Sequence, residues 1–322
     1  MDNTQISQLI EHELRQLAND RQPAELYEPI RYILSIGGKR LRPQLTLLSC
    51  SVFSDDLRPA IPAALAMEVF HNFTLLHDDI MDDAALRRGR PTVHTQWNTN
   101  VAILSGDAMC ILAYHLLGQT SQDKLAIVLP VFNDTALKVC EGQQYDMNFE
   151  SEHWVTEAAY MKMIELKTAT LLAACLQIGA LIGGASTDDA LRLYRFGIHL
   201  GLAFQLQDDL LDTFGDEALL GKKIGKDIVA NKKTYLLIKA LEKANLEQRQ
   251  ELQRWMAANH NPDEKIVAVK NIFTSLEIDK ITQAAINFQI SKAIEELDTV
   301  AVESLRKKEL IAVLEKLNHR RF

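Results

Sequence analysis

Glycine and proline are scarce in this 322-residue chain, at 14 and 8 residues, and no low-complexity run is present. That excludes a disordered or fibrous polymer, which needs such residues in bulk. Cysteine is sparse too. Cys50, Cys110, Cys140 and Cys175 stand far apart with no CxxC pair. Neither a zinc site nor a disulfide framework is signalled, and reduced, buried thiols are expected. Basic residues are outnumbered, with 35 Lys and Arg against 43 Asp and Glu and a formal net charge of −8. A nucleic-acid partner requires a dense basic surface and is not expected. The first ten residues are polar and carry no apolar signal core. The most apolar segment, residues 169–185, contains Thr170, Gln177 and three glycines. It falls short of a transmembrane span and reads as a buried core helix. These absences predict a soluble, cytoplasmic globular protein.

What the chain does have is helical periodicity. After Pro62, a residue suited to a first turn, Leu65, Val69, Phe73, Leu76 and Ile80 recur at helical spacing. Similar stripes fill 101–118, 125–147, 157–183, 188–214, 234–258 and 281–297, and a last amphipathic stretch ends near Arg321. Alternating strand patterns with hairpin turns are absent. No linker or composition shift divides the chain. One all-α domain over residues 1–322 is predicted, a large helical bundle around a deep centre.

Two acidic clusters stand out. Asp78-Asp79-x-x-Asp82 recurs in kind as Asp208-Asp209-x-x-Asp212, both within apolar helical sequence. Positions i and i+4 share a helix face, so Asp78 points with Asp82, and Asp208 with Asp212. Like charges at that spacing destabilise a helix unless something positive offsets them. Carboxylates without cysteine suit a hard cation, Mg²⁺ first, whose other ligands come from water and substrate phosphates. A solvated helix end would explain one cluster. Two matching clusters among Leu, Ile and Phe favour a metal site. His71 continues the line of Asp78 and Asp82, and Gln205 lies on the line of Gly201, Asp208 and Asp212.

Basic groups complement them. In Gly37-Gly38-Lys39-Arg40-Leu41-Arg42-Pro43, a basic turn runs into a helix, and Lys39 and Arg42 are placed to clamp one anion. Arg87-Arg88-Gly89-Arg90 follows the first cluster, and Lys167-Thr168, Lys222-Lys223 and Lys232 lie further on. Singly, each reads as a solvated charge. Together they imply a metal-bridged diphosphate beside a second diphosphate held without metal.

These motifs resemble the trans-isoprenyl diphosphate synthase (polyprenyl synthetase) family over nearly the whole chain. They are GGKRLRP at 37–43, DDIMD at 78–82, RRGRP at 87–91, GQ at 142–143, KT at 167–168, QLQDDLLD at 205–212 and Gly225-Lys226-Asp227 with Asn231-Lys232, in that order. The resemblance implies an isoprenoid-synthase bundle with a deep central cavity, commonly a homodimer. Asp78, Asp82 and Asp208 would ligate Mg²⁺, three ions per site, with Asp79, Asp209 and Asp212 in support. Arg87, Lys167, Thr168, Gln205, Lys222 and Lys232 would contact an allylic diphosphate. Lys39, Arg42, His71 and Arg88 would bind isopentenyl diphosphate. Lys222 and Lys223 align equally well with the family's single lysine. The implied reaction is head-to-tail prenyl transfer.

In this family a bulky residue four or five places before the first cluster stops the growing tail. Phe73 and the small Thr74 occupy those places, and Phe73 lies roughly 7.5 Å deeper along the axis. The pattern resembles synthases of the twenty-carbon product, with the fifteen-carbon product next. Three other readings are weighed. A class I terpene cyclase would share the first cluster but replace the second and dispense with Lys39 and Arg42. A di-iron bundle would use Glu68-x-x-His71 and Glu150-x-x-His153, leaving six aspartates unexplained. A non-catalytic scaffold would not retain them.

Overall fold

Helices begin where the sequence supplies a start and continue while apolar residues recur. The computed structural model describes residues 3–17, 19, 21–216, 224–257 and 261–318. It opens with α1 (Asn3–Gln16), α2 (Ala24–Ser35), α3 (Leu41–Phe53) and α4 (Ile61–Met81). Pro62 lies in the first turn of α4, where its missing N–H removes no helical bond. Residues 63–70 of α4 are all buried, as befits a helix that is apolar all round. After a short hairpin come α5 (Val93–Gln96), α6 (Thr99–Leu117) and α7 (Gln122–Ser151). Asn98 caps α6 by accepting the Val101 N–H at 2.9 Å. Then α8 (Glu157–Ile164), a π-helical segment (Glu165–Ala169) and α9 (Thr170–Gly183) follow one another, and α10 (Thr187–Phe214) carries the second acidic cluster. The remainder forms α11 (Lys226–Val229), α12 (Tyr235–Lys243), α13 (Leu246–Ala257), α14 (Pro262–Ser275), α15 (Ile278–Asp298) and α16 (Ser304–Asn318).

Packing divides the chain into two compact units. The first comprises Met1–Asn133, Ala174–Leu191 and Val302–Arg306, and the second Asp134–Ala173, Arg192–Ala301 and Lys307–Phe322. Leu45, Leu47, Met67, Phe70, Met109 and Phe132 are fully buried in the first. There α9 and α3 approach so closely that a Cβ on Gly179 would stand 2.0 Å from the Thr46 carbonyl. The second unit packs around Phe196, Leu200, Leu206, Leu236, Phe273 and Ile286.

The all-α expectation holds, with local differences. The 234–258 stripe is two helices. Asn245 and Gln248 close a reciprocal capping box at 3.1 and 2.9 Å, which ends one helix and starts the next. A short antiparallel pairing of Leu86–Arg87 with Arg90–Pro91 was not expected. Strands of two residues show no alternation; the turn makes this hairpin. Arg88 (φ 52°) and Gly89 (φ 75°) both have positive φ, the signature of a type I′ turn. The thiols are only partly as expected. Cys50 and Cys175 are buried, but Cys110 is half-buried and Cys140 exposed. Burial pushes the Cys50 and Cys175 thiols up to about 11 and about 12. Two helical runs, 99–117 and 157–183, are long and apolar enough to cross a membrane. The second contains the expected core helix: residues 169–176 are all buried.

Candidate active site

The residues singled out by motif fall into two groups, one in each unit. In the first, Asp78 and Asp82 close the last turn of α4, where the Asp82 N–H donates to the Asp78 carbonyl at 2.8 Å. Asp78 is half-buried and Asp82 exposed. Carboxylates at a helix C-terminus oppose the helix dipole as well as each other, and that last turn contains no basic residue. The arrangement is suited to a cation. Asp79 faces elsewhere. It is buried and receives Arg87 as a fork, Nε at 2.9 and 2.8 Å and Nη2 at 2.7 Å. Asp79 therefore holds Arg87 in place rather than pointing with the other two.

The type I′ turn sends Arg88 the opposite way, where its Nη1 donates to the Gly37 carbonyl. Gly38 has φ 141°, and a Cβ there would stand 2.5 Å from that Nη1, so the arginine lies where a side chain at 38 would. Arg42 is half-buried and its Nε finds no partner among the described residues. Lys39 is exposed. His71 sits within the field of Arg42, Arg88, Arg87 and Arg40, and loss of solvent together with those charges holds its pKa well below the usual imidazole value. A neutral imidazole among arginines can donate one N–H to an anion without adding charge. Three of the four residues expected to bind isopentenyl diphosphate thus share one cluster.

Further back on α4, half-buried Phe73 packs against Phe70 (centroids 5.5 Å apart) and edge-on against His77 (4.8 Å). Phe70 in turn meets Phe132 at 5.2 Å. Thr74 donates to the His71 carbonyl at 2.8 Å. Phe73 is part of an aromatic wall, not an isolated stripe residue.

In the second unit, Lys167 and Thr168 lie on the π-helical segment. A Cβ on Gly142 would stand 2.3 Å from the Lys167 N, and one on Gly201 would stand 2.4 Å from the Ala169 Cα. Both glycines let neighbouring helices close on the widened turn, a feature common at functional sites. Lys167 pairs with Asp146 at 2.6 Å. Thr168 donates to Gln205 Oε1 at 3.0 Å, Gln205 Nε2 donates to Asp209 Oδ1 at 3.0 Å, and the Tyr160 hydroxyl donates to Asp209 Oδ2. Burial, then the charges of Asp227 and Asp208, push the Asp209 carboxyl up to about 7 against the pull of those hydrogen bonds. Asp208 is half-buried on the same helix. Buried Asp212 accepts the Asp227 N–H at 3.0 Å and so ties down the turn before exposed Lys232. Lys222 and Lys223 lie outside the described residues.

Tyr160, Asp146 and the Arg40–Glu68 pair were not anticipated. Asp146 follows Gly142 by one turn of α7, which is a usable signal. Tyr160 precedes Lys167 by two turns, a weaker one.

The two groups define a class: an all-α protein whose clustered aspartates and arginines suit charged ligands. The polyprenyl synthetase family model matches residues 23–274. A geranylgeranyl diphosphate synthase of Methanosarcina mazei is 39% identical over 280 residues, covering 86% of this chain and 85% of that protein. A crystallised geranylgeranyl pyrophosphate synthase is 43% identical, with a TM-score of 0.95 and 100% of both chains covered. A Corynebacterium glutamicum geranylgeranyl pyrophosphate synthase, crystallised with isoprenyl diphosphate and magnesium, is 26% identical with a TM-score of 0.90 over 100% of both chains. The chain belongs to the polyprenyl synthetase family and is a prenyltransferase.

Proposed function

We propose that this prenyltransferase condenses isopentenyl diphosphate with allylic diphosphates to a C20 trans-prenyl diphosphate, with Mg²⁺, as one synthase domain in the cytoplasm. The observation that carries the reading is the charge segregation of the first unit. Arg42, Arg87 and Arg88 gather around neutral His71, on the helix that ends in Asp78 and Asp82. The relatives named geranylgeranyl synthases support the product length.

The donor set fits magnesium. Asp78, Asp82 and Asp208 offer only hard carboxylate oxygens. Among the described residues no three His, Cys, Asp or Glu groups converge on a closed metal cage, and Mg²⁺ commonly takes one or two carboxylates and completes its shell with substrate phosphates. When bound, the metal neutralises charge that develops on the departing diphosphate. Arg87 binds the allylic diphosphate, held in aim by Asp79. The carbonyl of Lys167, the Thr168 hydroxyl and the Gln205 side chain, which Thr168 contacts in the second unit, stabilise the allylic cation formed when the C–O bond ionises. Lys39, Arg42, His71 and Arg88 hold isopentenyl diphosphate, whose double bond attacks that cation. The proton then leaves to the released diphosphate, so no protein base is required.

Radiolabelled isopentenyl diphosphate, each allylic starter and Mg²⁺ should give linear C20 diphosphate. A hydrocarbon product would instead mean a cyclase. Phe73→Ala should lengthen the product, and unchanged chromatographic size would remove Phe73 as the floor. The di-iron reading does not fit the donors. Glu68 is engaged by Arg40 and Asn72, and His153 lies beyond the end of α7. On α6, Ile103, Leu104 and Ile111 are 42%, 59% and 70% exposed, the apolar strip a second copy would cover. Light scattering should report a homodimer.

A further inference from the structure

Glu68 is a motif residue that the proposed chemistry leaves without a task. It lies on α4 one turn before His71 and is only 4% exposed. Its Oε1 accepts from Arg40 Nη1 at 2.7 Å and from Asn72 Nδ2 at 3.1 Å. Arg40 is equally buried, at 5%, and its whole fork is engaged. Its Nε donates to Glu11 on α1 at 2.7 Å, and its Nη2 donates to the Leu34 carbonyl. This arginine cannot reach a ligand, although it stands inside the basic turn.

The backbone explains why it is gripped. Arg40 caps α3 with φ 46°, a left-handed conformation that disfavours any residue with a Cβ. Gly37 (φ 83°) and Gly38 (φ 141°) precede it in the same turn. A strained turn of this kind keeps its shape only if the surroundings over-determine it. Lys39 comes directly before Arg40, and Arg42 enters α3 two residues later. The direction of both side chains depends on that one backbone position. The charge of Glu68 also favours the charged forms of Arg42 and Arg88, which burial and neighbouring arginines oppose.

We infer that the buried Glu68–Arg40 pair is a positioning device for the isopentenyl diphosphate site: it locks the turn so that Lys39 and Arg42 converge on the metal-free diphosphate. The inference rests on the proposed roles of Lys39 and Arg42. It separates from a purely structural ion pair by a known property of such pairs. Removing one partner strands a buried charge and destabilises, whereas replacing both with apolar side chains of similar volume is commonly tolerated.

The test is therefore the double variant Arg40→Met with Glu68→Met, studied as the full chain. Its melting temperature should fall only modestly, because Glu11 and the Leu34 carbonyl lose Arg40 as a donor, and its KM for the allylic diphosphate should not move, while its KM for isopentenyl diphosphate should rise about tenfold or more. Wild-type KM for isopentenyl diphosphate in a folded double variant overturns the inference. Should that variant not fold, Glu68→Gln, which keeps shape and an acceptor oxygen, gives the same readout. A rise of about threefold or more confined to isopentenyl diphosphate supports the device, and no rise rejects it. Lys39→Ala and Arg42→Ala are measured alongside. If they raise that KM and the pair variants do not, the positioning role alone fails. If they leave it unchanged, the reading of the site fails and takes the inference with it.

Discussion

Two clusters, one in each unit, concentrate charge of opposite sign, and each pushes the titratable group at its centre toward its neutral form. Around His71, loss of solvent and four arginines depress a base. Around Asp209, burial and two further aspartates raise an acid to about 7. The contrast teaches how the molecule divides its work. The basic cluster around His71 carries a surplus that an anion would relieve and the acidic cluster around Asp209 one that a cation would relieve, while Asp78 and Asp82 add an acidic end to the helix that carries His71. The middle aspartates show the same division at closer range. Asp79 is met by the charged fork of Arg87, whereas Asp209 is met by the neutral donors Tyr160 and Gln205.

The comparison breaks most visibly at the cation ligands. Asp78→Ala and Asp208→Ala should each lower kcat by about a thousandfold or more, since a bound metal supplies several kcal/mol of charge stabilisation. Labelled isopentenyl incorporation measures this, and full turnover in either variant would remove that cluster from the metal site. Next come the middle aspartates. Asp79→Asn loosens the Arg87 fork and should raise the allylic KM by about 10- to 100-fold, the range for a hydrogen bond to a charged group. Tyr160→Phe removes one hydroxyl from Asp209 and should cost only about 1 kcal/mol, a few-fold in kcat. Equal effects in the two variants would erase the distinction between them.

The smallest effect is on acid stability. The folded pKa of His71 is lowered, so below its unfolded value of about 6.5 the unfolded chain binds the extra proton. Stability from this group is intact above that pH and declines as pH drops below it. Thermal melts of the ligand-free protein between neutral and mildly acid pH should show the decline, and His71→Gln should flatten it.

Much of this was legible in sequence because it is local. The stripe of α4, the i, i+4 relation of Asp78 and Asp82, and the basic turn each need only a few neighbouring residues. What escaped depends on packing between distant segments. Nothing in a helical stripe says that Arg40 meets Glu68, or that Tyr160 meets Asp209, because each pair forms across elements 28 and 49 residues apart. Gly142 and Gly201 were visible in the sequence, but not the backbone that closes on them. The break at Ala244 was masked because apolar residues recur at helical spacing on both sides of it.

The π-helical segment at Glu165–Ala169 has a consequence for what insertions and deletions this chain can bear. It is one surplus residue in the arithmetic of a helix, and each residue turns the axis by about 100°. Deleting that residue would restore an ordinary turn, at the expense of the bond from the Thr170 hydroxyl to the Glu165 carbonyl. It would also rotate Tyr160 against Lys167, so that one of them lost its aspartate. The widened turn works as a phase correction between the two ends of a single rod, letting one continuous helical run present two side chains to two different partners.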